Sequence, residues 1–127
     1  MKTIKQTYMI SAPPSAVFRA LVERTQIEEW TGSPAVMDDR VGTNFSLWGD
    51  SILGTNLEVV PDAKLVQRWR ASDWLNDSRV TFILLPDAGG TRVELLHEEV
   101  PDDQAEEYAA GWNDSYFGPL KEYLEET

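Results

Sequence analysis

Between Ala35 and Glu99 the apolar residues keep a period of two, and short turn sequences break the run at nearly even intervals. The alternation predicts strands over Ala35–Met37, Asn44–Trp48, Ile52–Val60, Lys64–Arg70, Ser78–Leu85 and Thr91–Glu99. Between them, V-G-T, W-G-D, V-P-D-A, W-L-N-D and P-D-A-G-G supply the glycine, proline, asparagine and aspartate that tight turns use. Connections this short join neighbouring strands antiparallel, because a parallel crossover needs a dozen residues or more. The middle of the chain is therefore an antiparallel meander.

Other patterns flank it. Lys2–Ile10 alternates as one more strand, with Ile4, Gln6, Tyr8 and Ile10 on one side. In S-A-P-P-S-A-V-F-R-A-L-V, Pro14 suits a first helical turn, and Val17, Phe18, Leu21 and Val22 make an apolar stripe. A second short helix is predicted over Thr25–Trp30, with Thr25 as cap and Glu28 at capping-box spacing, ended by T-G-S-P. After V-P-D-D, with Asp102 as cap, a long helix runs toward the C-terminus. The order is strand, two helices, about six strands, long helix. It predicts an α+β architecture in which a curved antiparallel sheet of about six or seven strands wraps around the C-terminal helix.

That helix carries the most information. At roughly 100° per residue, Ala105, Ala109, Trp112, Tyr116, Pro119, Leu120 and Tyr123 fall within about 120° of Tyr108 and form one apolar face. Gly111, Ser115 and Gly118 form a narrow stripe beside it, which serves either close backbone approach or an empty volume. Pro119 lies inside the pattern, where its ring clashes with the carbonyl of Ser115 and bends the helix.

Strand alternation supplies the opposing wall. Leu65, Gln67 and Trp69 face inward, because the other side of that strand carries Arg68 and Arg70. Phe45 and Leu47, then Val80, Phe82 and Leu84, then Val93 and Leu95 follow the same rule, with His97 continuing the last row. Trp30 is placed to close one end. The predicted ligand cavity is accordingly lined by Trp30, Phe45, Trp69, Phe82, His97, Trp112 and Tyr116, with His97 as a polar anchor.

Catalytic signals are sparse. His97 is the single histidine and the chain has no cysteine, so neither a zinc site nor a thiolate nucleophile is expected. Glu99, two residues on, shares the strand face of His97 by alternation, the start of an acid–base pair and no more. A lone histidine ending an apolar row reads first as a hydrogen-bonded core residue. There is no G-x-S-x-G, P-loop, H-E-x-x-H or G-x-G-x-x-G, and Asp38–Asp39 lacks the ligand spacing of a calcium loop. No catalytic residue, metal or cofactor is assigned.

Composition narrows the partners. A net charge of −11 disfavours nucleic acid, whose phosphates call for a basic surface. From Glu98 onward there are 10 acids, the last of them Glu126, against Lys121 alone, an excess of 9. That is either a solvated helix face or an acidic docking surface for a basic partner. No apolar run approaches the roughly 20 residues of a membrane helix, and M-K-T-I-K-Q-T-Y-M-I has no signal-peptide core. A cytoplasmic location is the default expectation, and the 127 residues are expected to form one domain.

I-E-E-W-T-G (27–32), M-D-D-R-V-G-T-N-F-S-L-W-G-D (37–50), L-V-Q-R-W-R (65–70) and G-W-N-D-S-Y-F-G-P-L-K-E-Y-L (111–124) together resemble the activator-of-Hsp90-ATPase-like domains. The likeness covers almost the whole chain, and W-x-x-x-Y-F-x-P-L-K is its most specific part. The resemblance implies a helix-grip fold of the START-like (Bet v 1-like) superfamily over 1–127. In eukaryotic co-chaperones such a domain is the C-terminal half of a protein that stimulates Hsp90. Superfamily relatives bind lipids, hormones, polyketides or other apolar molecules between sheet and helix, and a few catalyse reactions there. The leading expectation is a stand-alone domain that binds a small apolar ligand. A chaperone-interaction module acting through the outer surface and acidic helix comes second, and an enzyme using His97 third.

Overall fold

The computed structural model describes residues 1–125, so Glu126 lies outside the described residues. The chain runs β1 (Lys2–Ile10), α1 (Pro14–Val22), α2 (Arg24–Thr31), β2 (Asn44–Leu47), β3 (Ile52–Val60), β4 (Lys64–Ala71), β5 (Ser78–Asp87) and β6 (Gly90–Val100). A 3₁₀ turn over Asp102–Gln104 then leads into the C-terminal helix. That helix comprises α3 (Ala105–Gly111), a π-helical segment (Trp112–Phe117) and α4 (Gly118–Glu125). The strands form one antiparallel sheet in the order β1-β6-β5-β4-β3-β2, so the meander is intact and β1 returns to pair with β6. The result is the α+β helix-grip arrangement: a six-stranded curved sheet with the C-terminal helix on its inner face.

Inward and outward residues follow the alternation. Leu65, Gln67 and Trp69 on β4, Val80, Phe82 and Leu84 on β5, and Val93, Leu95 and His97 on β6 are all buried, while Arg68 and Arg70 are exposed. Burial of those apolar rows against the helix is the main stabilising term, at about 25 cal/mol per Å².

Several local expectations are corrected. Ala35–Met37 is no strand: it shrinks to one bridge, Val36 with Ser46. The next carbonyl, that of Asp38, is taken by the side-chain amide of the buried Asn56 at 2.9 Å, so the ladder stops there. Thr25 does not cap α2, which starts one residue earlier with Glu23 as its N-cap and no side-chain capping bond. The Glu28 carboxylate instead accepts from the Ala35 backbone N–H at 3.1 Å, tying α2 to the following loop. Asp102 makes no capping bond either. Pro101 sets an extended entry, Gln104 N–H bonds to Pro101 O at 3.0 Å, and the helix proper begins only at Ala105.

Glu99 leaves the face of His97. The β1–β6 register slips between Lys2 and Ile4, and Glu99 has φ 63, the left-handed residue of a bulge. Glu99 is thereby exposed while Val100 turns inward.

The strain that Pro119 predicts is resolved by the π segment. Gly118 N–H donates to Asn113 O, five residues back, and Pro119 becomes the second residue of α4. A proline is well placed in a first turn, and the wider π loop moves aside the carbonyls its ring would strike. The extra residue also rotates Phe117 inward. Its ring is fully buried and stacks on Tyr8 with centroids 4.1 Å apart.

Candidate functional site

The helix and strand aromatics meet face to face. Trp69 of β4 stacks on Trp112 at 4.9 Å, and Phe82 of β5 lies 5.8 Å from both Trp112 and Tyr116. Trp30 of α2 sets its edge against Tyr116 at 4.8 Å, its indole N–H donating to Ala20 O at 3.0 Å. Phe45 lies buried across Gly54, whose missing side chain makes room for the ring. The depth between sheet and helix is thus filled by rings.

On one flank of the helix lies a cleft of about 310 Å³. Trp48, Trp69, Tyr108, Trp112 and Tyr116 wall it together with Ile52. Gly111 and Ser115 form its helical side, and the exposed Glu107 stands at the rim. Of the seven residues predicted to line a ligand cavity, Trp69, Trp112 and Tyr116 border this cleft. Trp30, Phe45, Phe82 and His97 are in the packed interior and do not reach the cleft. Trp48, Ile52 and Glu107 carried no sequence signal for this role beyond the W-G-D turn; Gly111 and Ser115 carried the small stripe.

The small stripe divides. A Cβ built on Gly111 meets nothing within 4 Å, whereas one on Gly118 meets Asn113 O at 2.7 Å. Gly111 therefore borders open space, and Gly118 permits the π hydrogen bond. Gly111→Ala is expected to raise the unfolding free energy by about 0.5–1 kcal/mol through helix propensity. Gly118→Ala is expected to lower it, since backbone must shift. Urea titration of both variants checks the pair, and equal effects would contradict this division.

Trp48 is held at the cleft by an unusual turn. Trp48, Gly49 and Asp50 have φ of 50, 58 and 72, three successive left-handed residues. For a non-glycine residue that conformation costs about 1–2 kcal/mol. Gly49 N–H bonds to Pro34 O at 3.1 Å, and the Trp48 ring lies edge-on to Tyr116 at 6.2 Å. Such outliers cluster at ligand clamps.

His97 sits behind the cleft, fully buried, with both ring nitrogens engaged. Trp112 Nε1–H donates to Nδ1 at 3.0 Å. Nε2 is 2.8 Å from Ser78 Oγ, whose own hydrogen goes to Trp69 O at 2.8 Å. Ser78 has no second hydrogen to give, so Nε2 carries the proton and the ring is neutral. Burial pushes the His97 pKa down to about 3. The polar anchor of the sequence reading is thus a pin that ties β4, β5 and β6 to the helix. The buried Trp69 indole N–H has no hydrogen-bond acceptor among the described residues. Burial also raises the Tyr116 phenol pKa, keeping it neutral. No group of three or more potential metal ligands occurs among the described residues.

A sheet gripping one long helix, with a cleft between them, defines the helix-grip class. Residues 11–125 match the family described as Activator of Hsp90 ATPase homolog 1-like protein, and the chain belongs to that family. An activator of 90 kDa heat shock protein ATPase homolog from Dictyostelium discoideum is 29% identical over 123 residues, 94% of this chain and 32% of that protein. Human activator of 90 kDa heat shock protein ATPase homolog 1 is 23% identical over 122 residues, 94% of this chain and 36% of its own length. The chain thus spans about a third of the length of these curated relatives. A crystal structure of an Hsp90 activator from Plasmodium falciparum superposes with a TM-score of 0.92 at 26% identity, covering 98% of this chain and 97% of that one.

Proposed function

We propose that this protein is a helix-grip module that binds a small, largely apolar ligand in the cleft beside Gly111. One observation carries the reading: about 310 Å³ of space is walled by three tryptophans and two tyrosines, and a glycine opens the helix onto it. Ligand pockets of this kind are mostly aromatic and apolar with a few polar groups at defined points. The polar groups available include Ser115 and Glu107. The left-handed Trp48 turn adds a wall residue held in a costly conformation.

Gly111→Leu tests it. The side chain projects into open space on a helix, so the variant folds, yet it occupies the cleft. With a panel of neutral aromatic and aliphatic probes followed by tryptophan fluorescence, affinity is expected to fall at least about tenfold. Its melting temperature should equal or exceed that of the wild type. Equal probe affinity in wild type and variant would sink the reading.

A second reading has its own support. The matched relatives are named activators of a 90 kDa heat shock protein ATPase, and this chain corresponds to about a third of each. The module then engages an Hsp90-type chaperone in the cytosol through its outer surface, where the exposed Glu106, Glu107, Asp114 and Glu122 make the helix face acidic. Co-purification with the host's Hsp90 and a change in its ATPase rate at low salt are the expected results. Neither effect at low salt would remove this reading.

A further inference from the structure

No helix among the described residues is long and apolar enough to cross a membrane, and the cleft is the one feature whose chemistry selects a ligand class. Its walls are π systems, and the face of an aromatic ring carries the negative part of its quadrupole. Its single charged lining residue is Glu107, and no lysine or arginine lines it. Burial raises the Tyr108 phenol pKa, and the nearby carboxylates Asp73 and Glu107 add to it. Asp114 is exposed beside Ser115, and the whole chain carries −11. A neutral hydrocarbon uses the apolar area of such a site and ignores its sign. An anion is repelled by it.

We infer that the cleft selects an organic cation, an alkylated ammonium group seated among Trp48, Tyr108, Trp112 and Tyr116 with Glu107 as counter-charge. This rests on the cleft being a ligand site at all, and it names the class of ligand that site takes. A substituted ammonium matches two features at once. Its methyl groups fill aromatic volume, and its charge is drawn to the aromatic walls and to the Glu107 carboxylate at the rim. Trp48 becomes a specificity residue, because it is the wall residue supplied by the β2–β3 turn and is only partly buried.

The test compares choline with dimethylbutanol, its neutral carbon isostere, which has the same shape without the charge. Binding is read from the indole N–H resonances of the five tryptophans. Choline is expected to bind about tenfold tighter than the isostere, shifting the Trp48, Trp69 and Trp112 signals. Glu107→Gln, a change at an exposed position, is expected to weaken choline about threefold and leave the isostere unchanged. Rising salt should weaken choline alone. Equal affinity for the pair overturns the cation inference while leaving a ligand cleft. Choline shifts confined to the acidic helix surface overturn it as well. If neither member of the pair binds but the neutral probe panel does, the cleft reading survives and the cation inference falls. If nothing binds, both fall.

Discussion

Replacing Trp112 by alanine lowers the unfolding free energy by about 3–5 kcal/mol, and replacing it by phenylalanine by about 1–3 kcal/mol. The ring is 2% exposed and touches Trp69, Phe82, His97, Tyr116 and Phe117. Alanine leaves a hole whose walls belong to three β-strands and a π turn, so little of it can collapse. The transfer and cavity contributions then add. Phenylalanine retains most of the apolar contact but strips the donor from His97 Nδ1, leaving a buried acceptor unpaired. Removing both partners, as Trp112→Phe with His97→Leu, should be less harmful than the sum of the two single changes. Against a typical total of about 5–15 kcal/mol, the alanine variant is near the edge of folding and the phenylalanine variant is not. Chemical denaturation followed by far-ultraviolet circular dichroism measures the four variants and the wild type without relying on the lost fluorophore. A loss under about 1 kcal/mol for Trp112→Ala would contradict the packing described.

The parts that alternation controls were legible in the sequence: the meander, the inward rows of β4, β5 and β6, and the aromatic face of the helix. Alternation reports which side of a strand meets the core, and that choice holds wherever one face is buried. The misplaced details share a different origin. Thr25 and Asp102 have capping chemistry, yet Glu28 is drawn to Ala35 N–H and Pro101 sets a 3₁₀ turn, so tertiary partners and one proline decide both helix starts. Glu99 changes face because a bulge adds a residue, and nothing in H-E-E-V announces it. The π segment is the largest such case. At a constant helical angle Phe117 falls off the aromatic face, but one wider turn brings it onto Tyr8. The cleft was half legible. Gly111 and Ser115 marked a narrow side of the helix, but whether it met backbone or space depended on where the Trp48 turn comes to rest. That is a contact between residues more than sixty apart in sequence.

Between pH 7 and pH 5 the wild-type protein is expected to lose about 2 kcal/mol of stability that a His97→Gln variant does not lose. In the unfolded chain the imidazole titrates near its ordinary value of 6.5, while in the folded chain burial holds it down to about 3. Over that interval the unfolded state binds a proton that the folded state refuses, so stability falls as pH falls. The contribution is complete above pH 6.5 and is lost on descent toward pH 3, by roughly 4–5 kcal/mol in all. The geometry gives the reason. A proton on Nδ1 would face the Trp112 N–H that now donates to it, two donors nose to nose, and the other nitrogen is already committed to Ser78. Because His97 is the single histidine, the difference between wild type and variant isolates it from the carboxylates that titrate lower. The same residue supplies a direct readout by proton NMR. Its ring resonances should hold constant from pH 7.5 to pH 4.5 in the folded protein, and a midpoint near 6.5 would show that the pin between sheet and helix is open to water.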